Sequence, residues 1–292
     1  MTSVGFIGPG IMGGPMIRNL VVAGHRVRAL GRSPASVARV HDAGAQLAGS
    51  VADAAGADVV ITMLPDTPDV ERVVRGPGGL RESLKADQTY VDMSTIRVDV
   101  TRSLSRDLLD TGVHMLDAPV SGGEPAAKEG TLSVMVGGDP GALDRVRGIL
   151  DAVSTSVVHV GPSGSGQLTK AANQLIVAAN IQAVAEAIVL LETSGCDVEK
   201  ALAAIGGGLA GSTVLQRKAP AFLTGEFRPG FRVALHDKDL GIVQATARDL
   251  GVALPMAALV TQLMAALNAR GDGALDHSAL LKLTREFNTP AG

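Results

Sequence analysis

Lys170 and Asn173 stand three residues apart in a run that is otherwise apolar: Leu168, Ala171, Ala172, Leu175 and Ile176. On a helix that spacing puts both side chains on one face. An ammonium among such neighbours is costly unless it snorkels to water or meets an anion. Two readings follow, a surface lysine on an amphipathic helix or a charge held for chemistry. A second candidate is Ser121-Gly122-Gly123, which follows a strand-like run and Pro119. Two glycines let backbone N–H groups close around a carboxylate, and Ser121 adds a hydroxyl donor; the plainer reading is an ordinary turn. The third is Gly8-Pro9-Gly10-Ile11-Met12-Gly13, directly after the apolar run Val4–Ile7. In a Gly-x-Gly-x-x-Gly turn the first glycine permits the tight bend and the second lets backbone approach a pyrophosphate. The third lets the following helix pack on the strand, and the N–H groups of that helix then face the phosphates.

These residues need a scaffold, and the first half of the chain supplies an alternating one. Strand-like runs occur at Val4–Ile7, Arg26–Leu30, Val59–Met63, Thr89–Asp92, Met115–Ala118, Leu132–Val136 and Val157–Val160. Helical patterns such as Pro34–Ala43 and Val98–Thr111 lie between them, with Ser33-Pro34 as a helix start signal. The alternation predicts a mainly parallel sheet with helices on both faces. After the Gly161–Gly166 loop nearly everything reads as helix: Gln167–Ser194, Asp197–Ile205, Leu235–Leu250, Pro255–Ala269 and His277–Phe287, the last with Asp276 as N-cap. The expected division is 1–162 as a nucleotide-binding α/β domain and 163–292 as an all-helical domain for substrate and oligomerisation.

In dinucleotide folds the second strand ends in an acid that bonds the adenosine ribose. Here it ends Leu30-Gly31-Arg32-Ser33, about twenty residues past Gly10, and the acid is missing. Gly31 leaves room for a 2′-phosphate, Arg32 can pair with it bidentately, and Ser33 can add a bond. The pattern favours NADP(H), with NAD(H) possible; Arg32 as a solvated surface charge is the alternative.

Taken together, Gly5–Gly13, Asp117-Ala-Pro-Val-Ser-Gly-Gly123 and Gly166-Gln-Leu-Thr-Lys170-Ala-Ala-Asn173 resemble, in order and along essentially the whole chain, the β-hydroxyacid dehydrogenase family. The resemblance implies an α/β Rossmann-type N-terminal domain followed by an all-α C-terminal domain. It also implies Lys170 as general acid–base, and Asn173 with Ser121, Gly122 and Gly123 as substrate-binding. Met63, Leu64, Pro65 and Thr95 would line the cofactor, and Phe231 and Lys238 would be the helical domain's contribution. Lys238 has a second reading, an ion pair with Asp237 or Asp239. The segments Gly123–Gly138, Gly206–Leu215, Pro229–Leu240 and Asp276–Leu280 resemble the branch that reduces 2-hydroxy-3-oxopropionate (tartronate semialdehyde) to glycerate. Ser212 and Thr213 would suit a substrate with an extra hydroxyl, or would cap a helix. Rival readings are 3-hydroxyisobutyrate dehydrogenase, succinic semialdehyde/glyoxylate reductase and a catalytically silent dinucleotide-binding module. Retention of Lys170 argues against the silent module and against imine reductases. Pro9 and the non-acidic Gly31 are departures from the family pattern.

Composition narrows the field further. With no Trp, one Tyr and five Phe among 292 residues and a net charge of −3, the chain lacks the stacking platforms and basic surface of a nucleic-acid binder. Cys196 is the only cysteine, so no intrachain disulfide or multi-thiolate metal site can form, and no metal is expected. No basic-then-apolar signal opens the sequence. Ala171–Leu191 is broken by Asn173, Gln174, Asn180, Gln182 and Glu186, which reads as a buried helix rather than a membrane span. The expectation is a cytoplasmic homodimer or homotetramer acting on a small carboxylate semialdehyde or 3-hydroxy acid.

Overall fold

The computed structural model describes residues 1–288. Its contacts divide the chain into two compact units, Met1–Lys170 and Ala171–Gly292. The first unit alternates as follows: β1 (Ser3–Ile7), α1 (Gly13–Val22), β2 (Arg26–Leu30), α2 (Pro34–Asp42), β3 (Gln46–Leu47), α3 (Val51–Ala55), β4 (Val59–Thr62), α4 (Thr67–Arg75), α5 (Leu80–Ser83), β5 (Thr89–Asp92), α6 (Val98–Leu109) and β6 (His114–Asp117). It continues with β7 (Val120–Ser121), α7 (Gly123–Glu129), β8 (Leu132–Gly137), α8 (Pro140–Asp151) and β9 (Ser154–Gly161), and α9 (Ser165–Thr193) follows.

The nine strands form one sheet in the order β3-β2-β1-β4-β5-β6-β8-β7, with β9 on β8. Strands β1 to β6 pair in parallel, while β8 is antiparallel to β6 and β7. The alternation in the sequence thus reads β1, β2, β4, β5 and β6 as parallel strands, and the runs Leu132–Val136 and Val157–Val160 fall within β8 and β9. It misses the two-residue strands β3 and β7 and the short helices α3, α5 and α7, which are too brief to show a hydrophobic period. Successive strand residues face opposite ways. Phe6 therefore packs with Met16, Ile17 and Leu20 of α1, and Ile7 with Val60, Val70 and Leu104 on the other face.

The helical unit contains the rest of α9, then α10 (Val198–Gly206), α11 (Thr213–Thr224), α12 (Val233–Asp249), α13 (Pro255–Ala269) and α14 (Leu280–Phe287). Its core joins Ala178, Ile181, Ala185 and Ile188 of α9 to Phe222, Leu240, Val260 and Met264. Two expectations are corrected here. Asp276 caps a 3-10 turn at His277–Ala279 by accepting from the Ser278 N–H, and α14 begins only after it. The 29-residue α9 is long and apolar enough to cross a membrane by length and composition, yet only 33% of its most apolar window is buried in the chain. It is therefore not a fully buried helix: Ala178, Ile181 and Ala185 face the core, while Ile176 and Leu190 are exposed.

The contact division falls eight residues later than position 162, inside α9 and after Lys170. The physical reason lies in the hydrogen bonds that hold the first turn of α9 to the sheet.

Candidate active site

Strands β1, β4, β5 and β6 are parallel neighbours, so the residues that follow them share the carboxyl edge of the sheet, where such folds bind ligands. After β1 the three glycines of the turn have separate physical roles. Gly8 adopts φ +106°, and a Cβ there would stand 2.3 Å from the Met63 carbonyl oxygen. A Cβ on Gly13 would stand 2.1 Å from the Gly8 carbonyl oxygen, so α1 can pack this tightly only through glycine. A Cβ on Gly10 would meet nothing within 4 Å. The protein does not use that space, as expected where a pyrophosphate approaches the backbone. On this test the turn fits a dinucleotide.

After β2, Arg32 is exposed and no acidic side chain among the described residues pairs with it. A Cβ on Gly31 would lie 2.9 Å from Ser36 Oγ and 3.0 Å from the Ser36 carbonyl carbon. Packing against α2 thus demands glycine there, a reason beyond room for a phosphate. Ser33 is committed locally. Its Oγ accepts from the Ser36 N–H at 3.2 Å, and its own N–H donates to Ser36 Oγ at 2.8 Å, closing a capping box at the start of α2.

The turns after β4, β5 and β6 are tied into one piece. The Leu64 N–H donates to Ser94 Oγ at 2.9 Å, holding Met63, Leu64 and Pro65 to the Ser94–Ile96 segment that carries Thr95. Gln167 of α9 reaches the same segment: its Nε2 donates to the Ser94 carbonyl at 2.8 Å and its Oε1 accepts from the Ile96 N–H at 3.1 Å. Asp117, at the end of β6 and 0% exposed, accepts from the backbone N–H groups of Gly164 (2.7 Å) and Gln167 (2.9 Å). Burial pushes the Asp117 carboxyl up to about 6 against those two bonds, and Asp92 on the adjacent strand adds to the rise. Asp92 is itself buried and accepts from Thr62 Oγ1 at 2.7 Å and from the Ser94 N–H at 3.1 Å.

One helical turn past Gln167 stands Lys170, only 7% exposed. Its placement in the first compact unit accords with this double anchoring. The Ser121–Gly123 turn leaves the same β6 end through Pro119. Gly122 and Gly123 adopt φ +132° and +69°, which residues with a side chain rarely take, and a Cβ on Gly122 would stand 2.5 Å from that of Ala126. The sheet unit therefore carries the glycine turn, Met63–Pro65, Thr95, Ser121–Gly123 and Lys170 on one edge and its attached helix.

The remaining candidates belong to the helical unit. Asn173 Nδ2 donates to Gln174 Oε1 at 2.8 Å, and Gln174 Nε2 donates to Asp239 Oδ2 at 2.6 Å. Lys238 Nζ lies 2.9 Å from Asp239 Oδ1, so of the two ion pairs considered the one with Asp239 forms. Asp237 instead accepts from Asn268 Nδ2 at 2.8 Å. Phe231 stacks edge-on against His236 and His277, and its N–H donates to Asp276 Oδ2 at 3.0 Å. Burial works to raise the Asp276 carboxyl, but His277 and Lys218, the latter 2.8 Å away, outweigh it and hold the group well below the usual carboxylate range. Ser212 accepts from the Leu215 N–H at 3.0 Å as N-cap of α11 and donates to Asn180 at 2.9 Å, the capping alternative for this residue.

Sequence reasoning did not single out Asp92, Asp117, Ser94, Gln167 or Gln174. The available signal was an acid closing each of two apolar strands, Thr89–Asp92 and Met115–Asp117, and a glutamine one turn ahead of Lys170.

The comparisons with known proteins concern the family of the chain. A family model described as the NAD binding domain of 6-phosphogluconate dehydrogenase matches residues 3–161. A second, described as NAD-binding of NADP-dependent 3-hydroxyisobutyrate dehydrogenase, matches residues 164–284. The chain is 40% identical to a 2-hydroxy-3-oxopropionate reductase of Escherichia coli, covering 96% of each chain. It is 34% identical to a 3-hydroxyisobutyrate dehydrogenase of Pseudomonas aeruginosa, covering 98% of this chain and 99% of the other. Among solved structures, a Mycobacterium tuberculosis 3-hydroxyisobutyrate dehydrogenase with L-serine superposes with a TM-score of 0.90 at 33% identity, covering 98% of this chain and 99% of that one.

Proposed function

The chain belongs to the β-hydroxyacid dehydrogenase family and is an NAD(P)-dependent oxidoreductase, and from that premise we propose that it reduces 2-hydroxy-3-oxopropionate to glycerate with NADPH, with Lys170 as general acid. The observation that carries the chemistry is the anchoring of the turn before Lys170 to the ends of β5 and β6, on the same carboxyl edge of the sheet that carries the glycine turn after β1 and leads into Ser121–Gly123. Gly8, Pro9, Gly10, Ile11, Met12 and Gly13 would hold the pyrophosphate, with Met63, Leu64, Pro65 and Thr95 along the rest of the cofactor. For Phe231 and Lys238 the cofactor assignment rests on the family resemblance. The preference for NADPH rests on exposed Arg32 and on the absence of an acid at the end of β2; Ser33, committed to its cap, supports it less.

When bound, the reduced nicotinamide supplies a hydride to the carbonyl carbon. The backbone N–H groups of Gly122 and Gly123 and the Ser121 hydroxyl bind the substrate carboxylate, and Asn173 orients the substrate. Lys170 Nζ donates a proton to the carbonyl oxygen as negative charge develops there, a contribution typically worth about a hundred- to ten-thousandfold in rate. Burial of Lys170 favours this role, because a proton donor acts best where water does not compete for the same oxygen.

The choice of 2-hydroxy-3-oxopropionate follows the 40% identical relative. A second reading, methylmalonate semialdehyde as substrate, is favoured by the Pseudomonas relative and by the 0.90 superposition. NADPH oxidation measured with tartronate, methylmalonate and succinate semialdehydes separates them. The expected result is the highest kcat/KM with tartronate semialdehyde; a preference for either other aldehyde overturns the substrate assignment. We assign the chain to the reducing cytoplasm, in keeping with Cys196 as an exposed free thiol. Self-association as a homodimer or homotetramer is supported by exposed Ile176 and Leu190 on α9, and a monomer by light scattering would overturn it.

A further inference from the structure

We propose that Asp117 is a positioning residue for this reaction: its carboxylate pins the first turn of α9 to the end of β6 and so sets where Lys170 presents its amine. The inference rests on the reading of Lys170 as proton donor.

A helix start leaves N–H groups without intrahelical partners, and when the start is buried something in the protein must satisfy them. Here the two carboxylate oxygens take one N–H each, Oδ1 from Gly164 and Oδ2 from Gln167. Space for the carboxylate is built in. A Cβ on Gly137 of β8 would stand 2.6 and 2.8 Å from its two oxygens. A Cβ on Gly166 would stand 2.5 Å from the Asp117 carbonyl oxygen and 2.4 Å from that of Met135. Any larger residue at either glycine would push helix and strand apart.

The Gln167 side chain supplies a second, independent tether, to the Ser94 carbonyl and the Ile96 N–H. Two strand ends therefore hold one helical turn, and Lys170 is the next turn on. Catalysis depends steeply on such placement, since a displacement of about 1 Å can cost roughly a hundredfold in rate.

The charged groups around Asp117 are few. Asp92 is its register partner on β5, and side chains of paired residues on neighbouring parallel strands share a face. From α6, Arg102 Nε donates to the Ser163 carbonyl at 3.4 Å. On α9 the first charged side chain is Lys170, one turn past Gln167. Protonating Asp117 would turn an acceptor oxygen into a hydroxyl and release one tether, and the group titrates near 6.

The test compares the unmodified enzyme with Asp117→Asn, which keeps the shape but turns a donor toward an N–H, and with Gln167→Met, which removes the second tether at similar volume. Amide hydrogen exchange should accelerate at least about tenfold across residues 164–170 and remain unchanged elsewhere in the sheet. Dinucleotide affinity should stay within about twofold, while kcat for aldehyde reduction falls about ten- to a hundredfold. The acid limb near pH 6 in the kcat profile of the unmodified enzyme should vanish in Asp117→Asn. Unchanged exchange at 164–170, unchanged kcat, or acceleration spread evenly through the chain would each overturn the proposal. If Asp117→Asn does not fold, Gln167→Met with the exchange measurement decides alone. Failure of the unmodified chain to turn over any semialdehyde would instead sink the reading of Lys170, and the exchange data would still judge the clamp.

Discussion

The Gln167 backbone N–H donates a 2.9 Å hydrogen bond to the buried Asp117 carboxylate, joining the first turn of a 29-residue helix to the end of a central strand. The bond places the lysine turn of α9 with the sheet rather than with the helices that follow it. Four expected outcomes follow from this geometry and from the glycine turn.

Replacing Lys170 by Met should lower kcat for aldehyde reduction by about a hundred- to ten-thousandfold while leaving dinucleotide affinity and the unfolding midpoint close to those of the unmodified chain. Methionine keeps most of the buried stem and loses only the amine. Steady-state kinetics beside fluorescence titration of NADPH checks both halves, and full turnover in a folded variant would remove the assignment.

Arg32→Ala should raise the KM for NADPH about ten- to a hundredfold and change that for NADH little, because a charge-assisted bond contributes roughly 1.5–3 kcal/mol. Equal effects on the two cofactors would mean that Arg32 is a solvated surface charge.

Gly10→Ala and Gly13→Ala should separate ligand space from packing space. A methyl on Gly10 meets no protein atom within 4 Å, whereas one on Gly13 falls 2.1 Å from the Gly8 carbonyl oxygen. The first variant should unfold at nearly the normal temperature but bind dinucleotide poorly. The second should lose stability, by about 1–3 kcal/mol as for overpacked cores. Calorimetry with and without cofactor reads both; normal binding by Gly10→Ala would place the pyrophosphate elsewhere.

The pH dependence of stability should carry two opposite signatures. Asp117 rises from 3.8 unfolded to about 6 folded. Its contribution is therefore fully present below 3.8 and lost as pH climbs through 6, on the order of 3 kcal/mol in all. Asp276 is depressed below 3.8, so its contribution is present above that value and lost as pH falls toward its folded pKa. Denaturant midpoints from pH 2 to 8 should show a loss of stability below 3.8 from Asp276, and the stability difference between the unmodified chain and Asp117→Asn shrinking or reversing toward neutral pH. A pH-independent difference would show that Asp117 titrates normally.

Much of this molecule was legible before any coordinates. The Gly8–Gly13 turn, the alternating strands to Asp117 and the Lys170–Asn173 pair are local patterns, written in residue spacing that a strand or a helix must obey. For Lys238 the sequence left open a cofactor contact and an ion pair with Asp237 or Asp239, both beside it in the chain; between the two acids, the fold chose Asp239. Ser33 and Ser212 read equally as ligand donors or caps because a hydroxyl serves either purpose, and the backbone around Ser36 and Leu215 settled their capping bonds. Tertiary structure alone decided that Asp117 would meet Gly164 and Gln167, about fifty residues away along the chain. It likewise decided that Gly137 and Gly166 would leave space for that carboxylate. Such a cradle has no period and no short motif: its parts come from two strands and a helix start, and only the packed sheet brings them within hydrogen-bond reach.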